Sequence, residues 1–295
     1  MPLCLAGTPD GKIILGLFDG TIKILDVTGK QITCLKGHEG WIYSVAVTPD
    51  GEKIISGSAD HTIGIWNSEN GEQIARLEEH THLVKSVIVT PDGTKIISVS
   101  ADGTIKIWDS ETLQEDACFS GHISSSICLA ITPDGKKIIS GFFDGIVRIW
   151  DGETGEQIAC LGGHTACVNS VAVTRDGAKI ISGSDDHTIR IWDSETGQEI
   201  ACLRGHESLV NSVIVTPDGE KIISVSLHGT IRIWDSETGK QIACLRGNTN
   251  CSKSVALTPD GEILSLSTMG TIEVHACNPE AFERLCFQSL KEADF

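Results

Sequence analysis

The sequence lacks any apolar run near the roughly 18 residues that a membrane-spanning helix requires. Its start, Met1-Pro2-Leu3-Cys4-Leu5, lacks the basic region and cleavage-like site of a secretory leader. Cationic residues are scarce: 23 Lys and Arg stand against 40 Asp and Glu, a formal charge of −17. Such a field repels nucleic acid and anionic lipid, because binding either relies on clustered cations that neutralise phosphates. There is no GxxxxGK[ST] phosphate loop, no Gly-rich dinucleotide fingerprint, no calcium-loop pattern and no CxxC pair. These absences lead us to expect a soluble cytoplasmic protein with no cofactor, no metal, no nucleic acid and no membrane partner.

Cysteine is plentiful, with eleven residues. Cys118, Cys160, Cys202, Cys244 and Cys286 recur every 42 residues, and Cys34 belongs to the same column. Equivalent positions of successive repeats lie too far apart for a disulfide, which needs Cα atoms within about 7 Å. We therefore expect reduced, mostly buried thiols in a reducing compartment. Cys160, His164 and Cys167 have a spacing that could seed a zinc site, but two of the three belong to repeat columns.

The repeat is the dominant feature. Trp66, Trp108, Trp150, Trp192 and Trp234 recur at intervals of 42, each closing a phrase such as that from Lys179 to Asp193. Diverged copies ending at Leu25-Asp26 and His275-Ala276 flank these five, so seven copies fill nearly all 295 residues and leave no room for a second domain. Each copy reads as four strands. From Ser212 the run is β-branched and apolar, and Pro217-Asp218-Gly219 then turns the chain, with Pro presetting φ and Gly accepting a positive φ. Lys221 to Ser226 follows as a second strand. Thr230 to Trp234 alternates Ile with polar residues, the period-2 signature of a third, and Gln241 to Leu245 supplies a fourth. A second period lies beneath: blades two and five, three and six, and one and four pair by sequence, which suggests duplication of a three-blade unit.

Four-stranded units of this length, with Gly-His near the start and Trp-Asp near the end, resemble WD40 repeats. Gly37-His38, Gly121-His122, Gly163-His164 and Gly205-His206 carry the first signature, with Glu79-His80 as a variant. Trp108-Asp109, Trp150-Asp151, Trp192-Asp193 and Trp234-Asp235 carry the second, with Trp66-Asn67 as a variant. The resemblance implies an all-β fold: a seven-bladed WD40 β-propeller of four-stranded antiparallel blades. A single domain over 1–295 would have blades near 1–37, 38–79, 80–121, 122–163, 164–205, 206–247 and 248–295. Because the chain opens on a first strand, Leu3 to Thr8, the fourth strand of blade seven falls at Glu283 to Ser289. A helix begun by Asn278-Pro279-Glu280 is the alternative there. In the strand reading, blades one and seven meet by side-chain packing alone.

The resemblance further implies a structural hydrogen-bonded set in each complete blade: His38, Ser58, Asp60 and Trp66; His80, Ser100, Asp102 and Trp108; His164, Ser184, Asp186 and Trp192. On paper such a set looks like a catalytic triad. Its repetition beside an indole N–H suits a buried, satisfied network better, and we expect no catalytic residues. Phe142 replaces the Ser in blade four, His228 replaces the Asp in blade six, and blade one keeps only Asp19, so these blades are expected to be less stable.

Partners of such propellers usually dock where the loops after Gly-His and between the second and third strands gather. The column Leu3, Tyr43, Lys85, Ile127, Asn169, Asn211 and Lys253 varies within otherwise similar repeats, which marks it as a surface that reads a partner. Trp41, the only Trp outside its column, and Tyr43, the only Tyr, are candidate hot spots. Phe18 and Phe143 add apolar area, with burial in place of a missing network as the other reading. His61, His82 and His187 are expected on exposed loops. The expected function is a non-enzymatic, monomeric scaffold or recognition module for a protein or peptide. A propeller enzyme with a site at a channel mouth, or a purely structural, self-assembling disc, are the alternatives.

Overall fold

The computed structural model describes residues 2–26, 28–120, 126–246, 252–257, 263–267 and 272–275. Every regular element among them is a β-strand. Six sheets are four-stranded and antiparallel in chain order, and a further sheet has three strands, Ser252–Leu257, Ile263–Ser267 and Ile272–His275. Among the described residues there are thus six four-stranded blades rather than the expected seven, with a three-stranded sheet beside them. The fourth strand expected at Glu283 to Ser289 lies outside the described residues, in the copy that departs furthest from the repeat. Residues 121–125 and 247–251, which separate blades, also lie outside them.

Packing divides the chain into two compact units, Met1–Ile123 with Ala256–Phe295, and Ser124–Val255. Blades one to three belong to the first and blades four to six to the second, so the division follows the three-blade period of the sequence. Within blade two the strands run Ile42–Val47, Lys53–Ser58, Ile63–Asn67 and Gln73–Leu77. The two middle strands are almost wholly buried and the fourth is largely exposed, as expected when only the outer edge of a sheet meets water. Ile55, Ile63, Ile65 and Leu77 of blade two pack against Val84, Val87, Ile96 and Trp108 of blade three. Blades five and six repeat the arrangement: Ile181, Ile189 and Ile191 meet Val210, Val213, Ile222 and Trp234. Each such Ile or Val contributes roughly 1.5–3 kcal/mol by leaving water.

Blade one has strands Pro2–Gly7, Ile13–Leu17, Ile22–Leu25 and Gln31–Leu35, with Leu15 and Leu25 where blade two has Ser56 and Trp66. Those leucines join Leu5, Ile13 and Leu17 in a cluster that also takes in Leu264 and Ala256. Hydrocarbon contacts, with the first strand of the chain kept in its own blade, therefore join blade one to the three-stranded sheet.

Glycine is required where blades approach closely. A Cβ on Gly57 would stand 2.8 Å from Val84 Cγ1, and one on Gly183 2.7 Å from Val210 Cγ1. The thiol column corrects the expectation of burial: Cys118, Cys160 and Cys244 are exposed and Cys34 and Cys202 partly so, because they lie on fourth strands, at the sheet edge. All eight described cysteines are free thiols. Cys4 is buried, and that burial pushes its thiol up to about 12.

Candidate functional site

A hydrogen-bonded chain sits at the loop end of blades two, three and five. In blade two, Trp66 Nε1–H donates to Ser56 Oγ at 2.8 Å, and Ser56 lies 2.7 Å from His38 Nε2. His38 Nδ1 donates to Asp60 at 2.9 Å, since a carboxylate can only accept. Asp60 also accepts from Glu39 N, Thr62 N and Thr62 Oγ1 at 2.9, 3.0 and 2.7 Å. Blades three and five repeat the chain through Trp108, Ser98, His80 and Asp102 and through Trp192, Ser182, His164 and Asp186.

The serine differs from the expected one in all three blades. Ser58, Ser100 and Ser184 instead donate to the backbone carbonyls of Gly40, His82 and Ala166. The register explains this. Trp66 pairs with Ile54, so Ser56 is its diagonal neighbour, and Ser58 lies two residues farther along the same face, out of the indole's reach. For the same reason blade four does not lack its serine: Trp150 Nε1 donates to Ser140 at 2.7 Å. Phe142 occupies the other serine's place, buried, with the Arg148 guanidinium 4.2 Å above its ring.

Burial opposes ionisation of these aspartates, but their donors win. Hydrogen bonds from His38 and Thr62 hold the Asp60 carboxyl well below the usual range. Those from Thr104 and Thr81 bring Asp102 to about 2, and those from Thr188 and His164 do the same for Asp186. Burial lowers the His80 and His164 imidazoles against the pull of their aspartates. Every polar member is satisfied, so the set rigidifies the loop end.

The rim residues of the first unit converge. Phe18 and Trp41 stack with ring centroids 3.8 Å apart, and Trp41 meets Tyr43 edge-on at 6.1 Å. Lys85 places its ammonium 3.8 Å from the Tyr43 centroid, a cation–π contact. Burial raises the Tyr43 phenol and lowers the Lys85 ammonium. Phe18 and Trp41 remain 39% and 41% exposed, a large exposure for rings held on a rigid blade end. Ala59 N donates to Trp41 O, which ties the Trp41 loop to the loop carrying His61. His61 in turn stacks on His82 at 5.6 Å.

In the second unit the corresponding surface is polar around Asn169. Asn169 Nδ2 donates to Asp185 Oδ1 at 2.6 Å and to Val210 O at 3.1 Å. Ile127 and Asn211 are partly buried and Phe143 is 57% exposed. The side chain of Lys253 lies outside the described residues. Sequence reasoning missed Asp185, although it stands where blades one to four and six have Ala, Leu or Phe. It also missed Arg76. In the other described blades a Lys or Arg on the third strand faces a Cys on the fourth, as Arg190 faces Cys202, whereas in blade two Gly64 faces Arg76. Gly64 leaves that position without a side chain, and the Arg76 guanidinium, from across the strand pair, reaches Asp60 at 3.4 Å.

No cluster of three or more His, Cys, Asp or Glu suited to a metal occurs among the described residues. No helix among them is long and apolar enough to cross a membrane. A cavity of about 360 Å³ lies at the opposite, turn end of blades five and six, lined by Arg175, Asp176, Lys179 and Asp218 among others.

Residues 3–159 match the family model described as IFT122 first beta-propeller, and residues 155–193 and 197–235 match the WD domain, G-beta repeat. The chain is 38% identical over 66 residues to the Intraflagellar transport protein 122 homolog of Xenopus tropicalis, covering 22% of this chain and 6% of that protein. It is 33% identical over 69 residues to WD repeat and SOCS box-containing protein 1 of Homo sapiens, covering 22% and 16%. It is 37% identical over 60 residues to Small ribosomal subunit protein RACK1y of Oryza sativa subsp. japonica, covering 20% and 18%. The aligned segments thus span less than a fifth of each of these relatives. With more than half of its length matched by one propeller model and two more repeats matched behind it, the chain belongs to the WD40 family of β-propeller proteins.

Proposed function

We propose that this protein is a non-enzymatic scaffold or recognition module that docks a protein or peptide on the loop ends of blades one to three, through Phe18, Trp41, Tyr43 and Lys85. The single observation that carries the reading is the exposed Phe18–Trp41 stack, backed by Tyr43, with Trp41 and Tyr43 on the blade that the His38 network rigidifies. Exposed aromatics with a fixed geometry are the side chains that most often dominate binding energy, because they bring large area at little entropic cost. The polar chain that resembles a triad serves structure in this reading, since its members are buried and mutually bonded. A seventh blade, completed by Glu283 to Ser289, fits the repeat count of the sequence. Kinship with the named relatives supports the scaffold class and leaves their whole-protein activities aside.

The test is affinity capture with wild type and a Phe18→Ala/Trp41→Ala variant whose circular dichroism and melting match wild type. A partner held by wild type and lost by the variant is the expected result. Equal recovery of the same partners by both proteins would move the docking surface away from this rim.

A further inference from the structure

Blade six keeps the indole–serine–imidazole chain and lacks its carboxylate. Trp234 Nε1 donates to Ser224 at 2.8 Å and Ser224 lies 2.7 Å from His206 Nε2, as in the complete blades. The position of Asp60, Asp102 and Asp186 is occupied by His228. In blade five the aspartate gathers four donors: His164 Nδ1 at 2.8 Å, Thr165 N at 3.1 Å, Thr188 N at 2.9 Å and Thr188 Oγ1 at 2.6 Å. Their counterparts in blade six are His206, Glu207 and Thr230. His206 Nδ1 keeps only the threonine contact that its equivalents also make, with Thr230 Oγ1 at 3.2 Å, and Thr230 Oγ1 meets Ser226 Oγ at 2.5 Å. Ser226 has therefore turned from the backbone contact its equivalents make toward the space of the missing carboxylate.

Next to that space lies a cavity of about 40 Å³ lined by Glu207, Ser208, Ser226, His228, Thr230, Arg232 and Cys244, with His206 behind Thr230. One water needs only roughly 10–15 Å³, so a group larger than water fits. The guanidinium of Arg232, which donates to Gln241 Oε1, adds a positive charge that no carboxylate neutralises, whereas its counterpart Arg190 in blade five pairs with Glu199. Donors converging on a buried spot with a cation beside them are what a carboxylate recognises.

We propose that blade six holds a carboxylate-binding site in which an exogenous carboxylate takes the place filled by aspartate in blades two, three and five. The group accepts from His206 Nδ1, Thr230 and the Glu207 N–H, and is neutralised by Arg232. It would release His206 from an unfavourable surrounding: burial, Arg232 and His187 now push that imidazole down to about 4. The titratable groups that face the site are Glu207, His228, Arg232 and Cys244, and Arg232 donates to the neutral Gln241 Oε1. The carboxylate has two possible sources, a free small acid or an acidic side chain on a peptide.

The two are separated by titrating ¹⁵N-labelled protein at pH 7 and constant ionic strength with acetate, and in parallel with N-acetyl-aspartyl-methylamide. Saturable movement of the Glu207 and Thr230 amide signals in wild type is expected, weakened at least about tenfold in His228→Asp, whose own carboxylate fills the site. Since His228→Asp restores the residue of the complete blades, it folds, and Arg232→Gln provides a second variant that weakens binding. Binding of acetate alone assigns the site to a free acid, and binding of both probes admits a peptide side chain. No saturable change with either probe, or equal affinity in wild type and His228→Asp, would overturn the proposal.

Discussion

Blades five and six are neighbours in one compact unit, with the same strand order and the same Trp–Ser–His chain. They differ at the position next in that chain, Asp186 in one and His228 in the other. In blade five the imidazole has an anionic partner that opposes the effect of burial. In blade six nothing opposes it, and the neighbouring cations lower it further. The blade itself forms in both cases. The difference teaches that apolar packing and the indole–serine contact build the blade, while the carboxylate sets the charge state of its histidine and closes the hydrogen bonding of the loop.

The comparison breaks most sharply if the carboxylate is removed from the complete blade. Asp186→Ala leaves four donors without their acceptor and should cost about 3 kcal/mol in urea unfolding at pH 7. A loss within the noise of the measurement would mean that water satisfies the donors equally well.

Acid should distinguish the blades next. The unfolded chain protonates His206 as the pH falls below about 6.5, whereas the folded protein does so only near 4. Stability tied to this group is therefore present above that window, is lost progressively across it and is not regained below. The whole loss is on the order of 3 kcal/mol. His228→Asp should remove most of it, since the new carboxylate favours the charged imidazole. An unchanged pH profile of unfolding in that variant would separate the acid response from blade six.

The smallest effect concerns the turn that carries the network. His61 and His187 have φ of 73° and 68°, in the left-handed region where Gly103, Gly145 and Gly229 stand in other blades. His187→Gly should stabilise the protein by up to about 1 kcal/mol, the relief of strain exceeding the added freedom of the unfolded chain. His61→Gly should gain less, because it also forfeits the stack on His82. Equal gains at both positions, read from thermal unfolding, would show that the stack contributes nothing.

The two units present a second contrast. Sequence pairs blade two with five and blade three with six, so Trp41, Tyr43 and Lys85 correspond to Cys167, Asn169 and Asn211. One loop surface became aromatic and cationic, the other amide and acidic around Asp185, on scaffolds that barely changed.

The strands, their turns and their repetition were legible in the amino acids because each depends on neighbours in the chain: alternation of Ile with polar residues, Pro-Asp-Gly and Ser-Glu-Thr-Gly turns, and a Trp every 42 residues. The family resemblance followed from those signals. What the linear pattern left open depended on which residues stand opposite one another. Two serines share one face of the second strand in blades two, three, five and six, and only the strand register selects Ser56 over Ser58. The thiol column looked like core because cysteine usually is core, yet the outer edge of each sheet exposes it. Arg76 replaces a missing side chain at Gly64 across a strand pair, and Lys85 covers Tyr43 from the next blade. Local periodicity determined the blades, and contacts between residues distant in sequence decided the sites, because hydrogen bonds and ring contacts act over a few ångströms that only the folded chain defines.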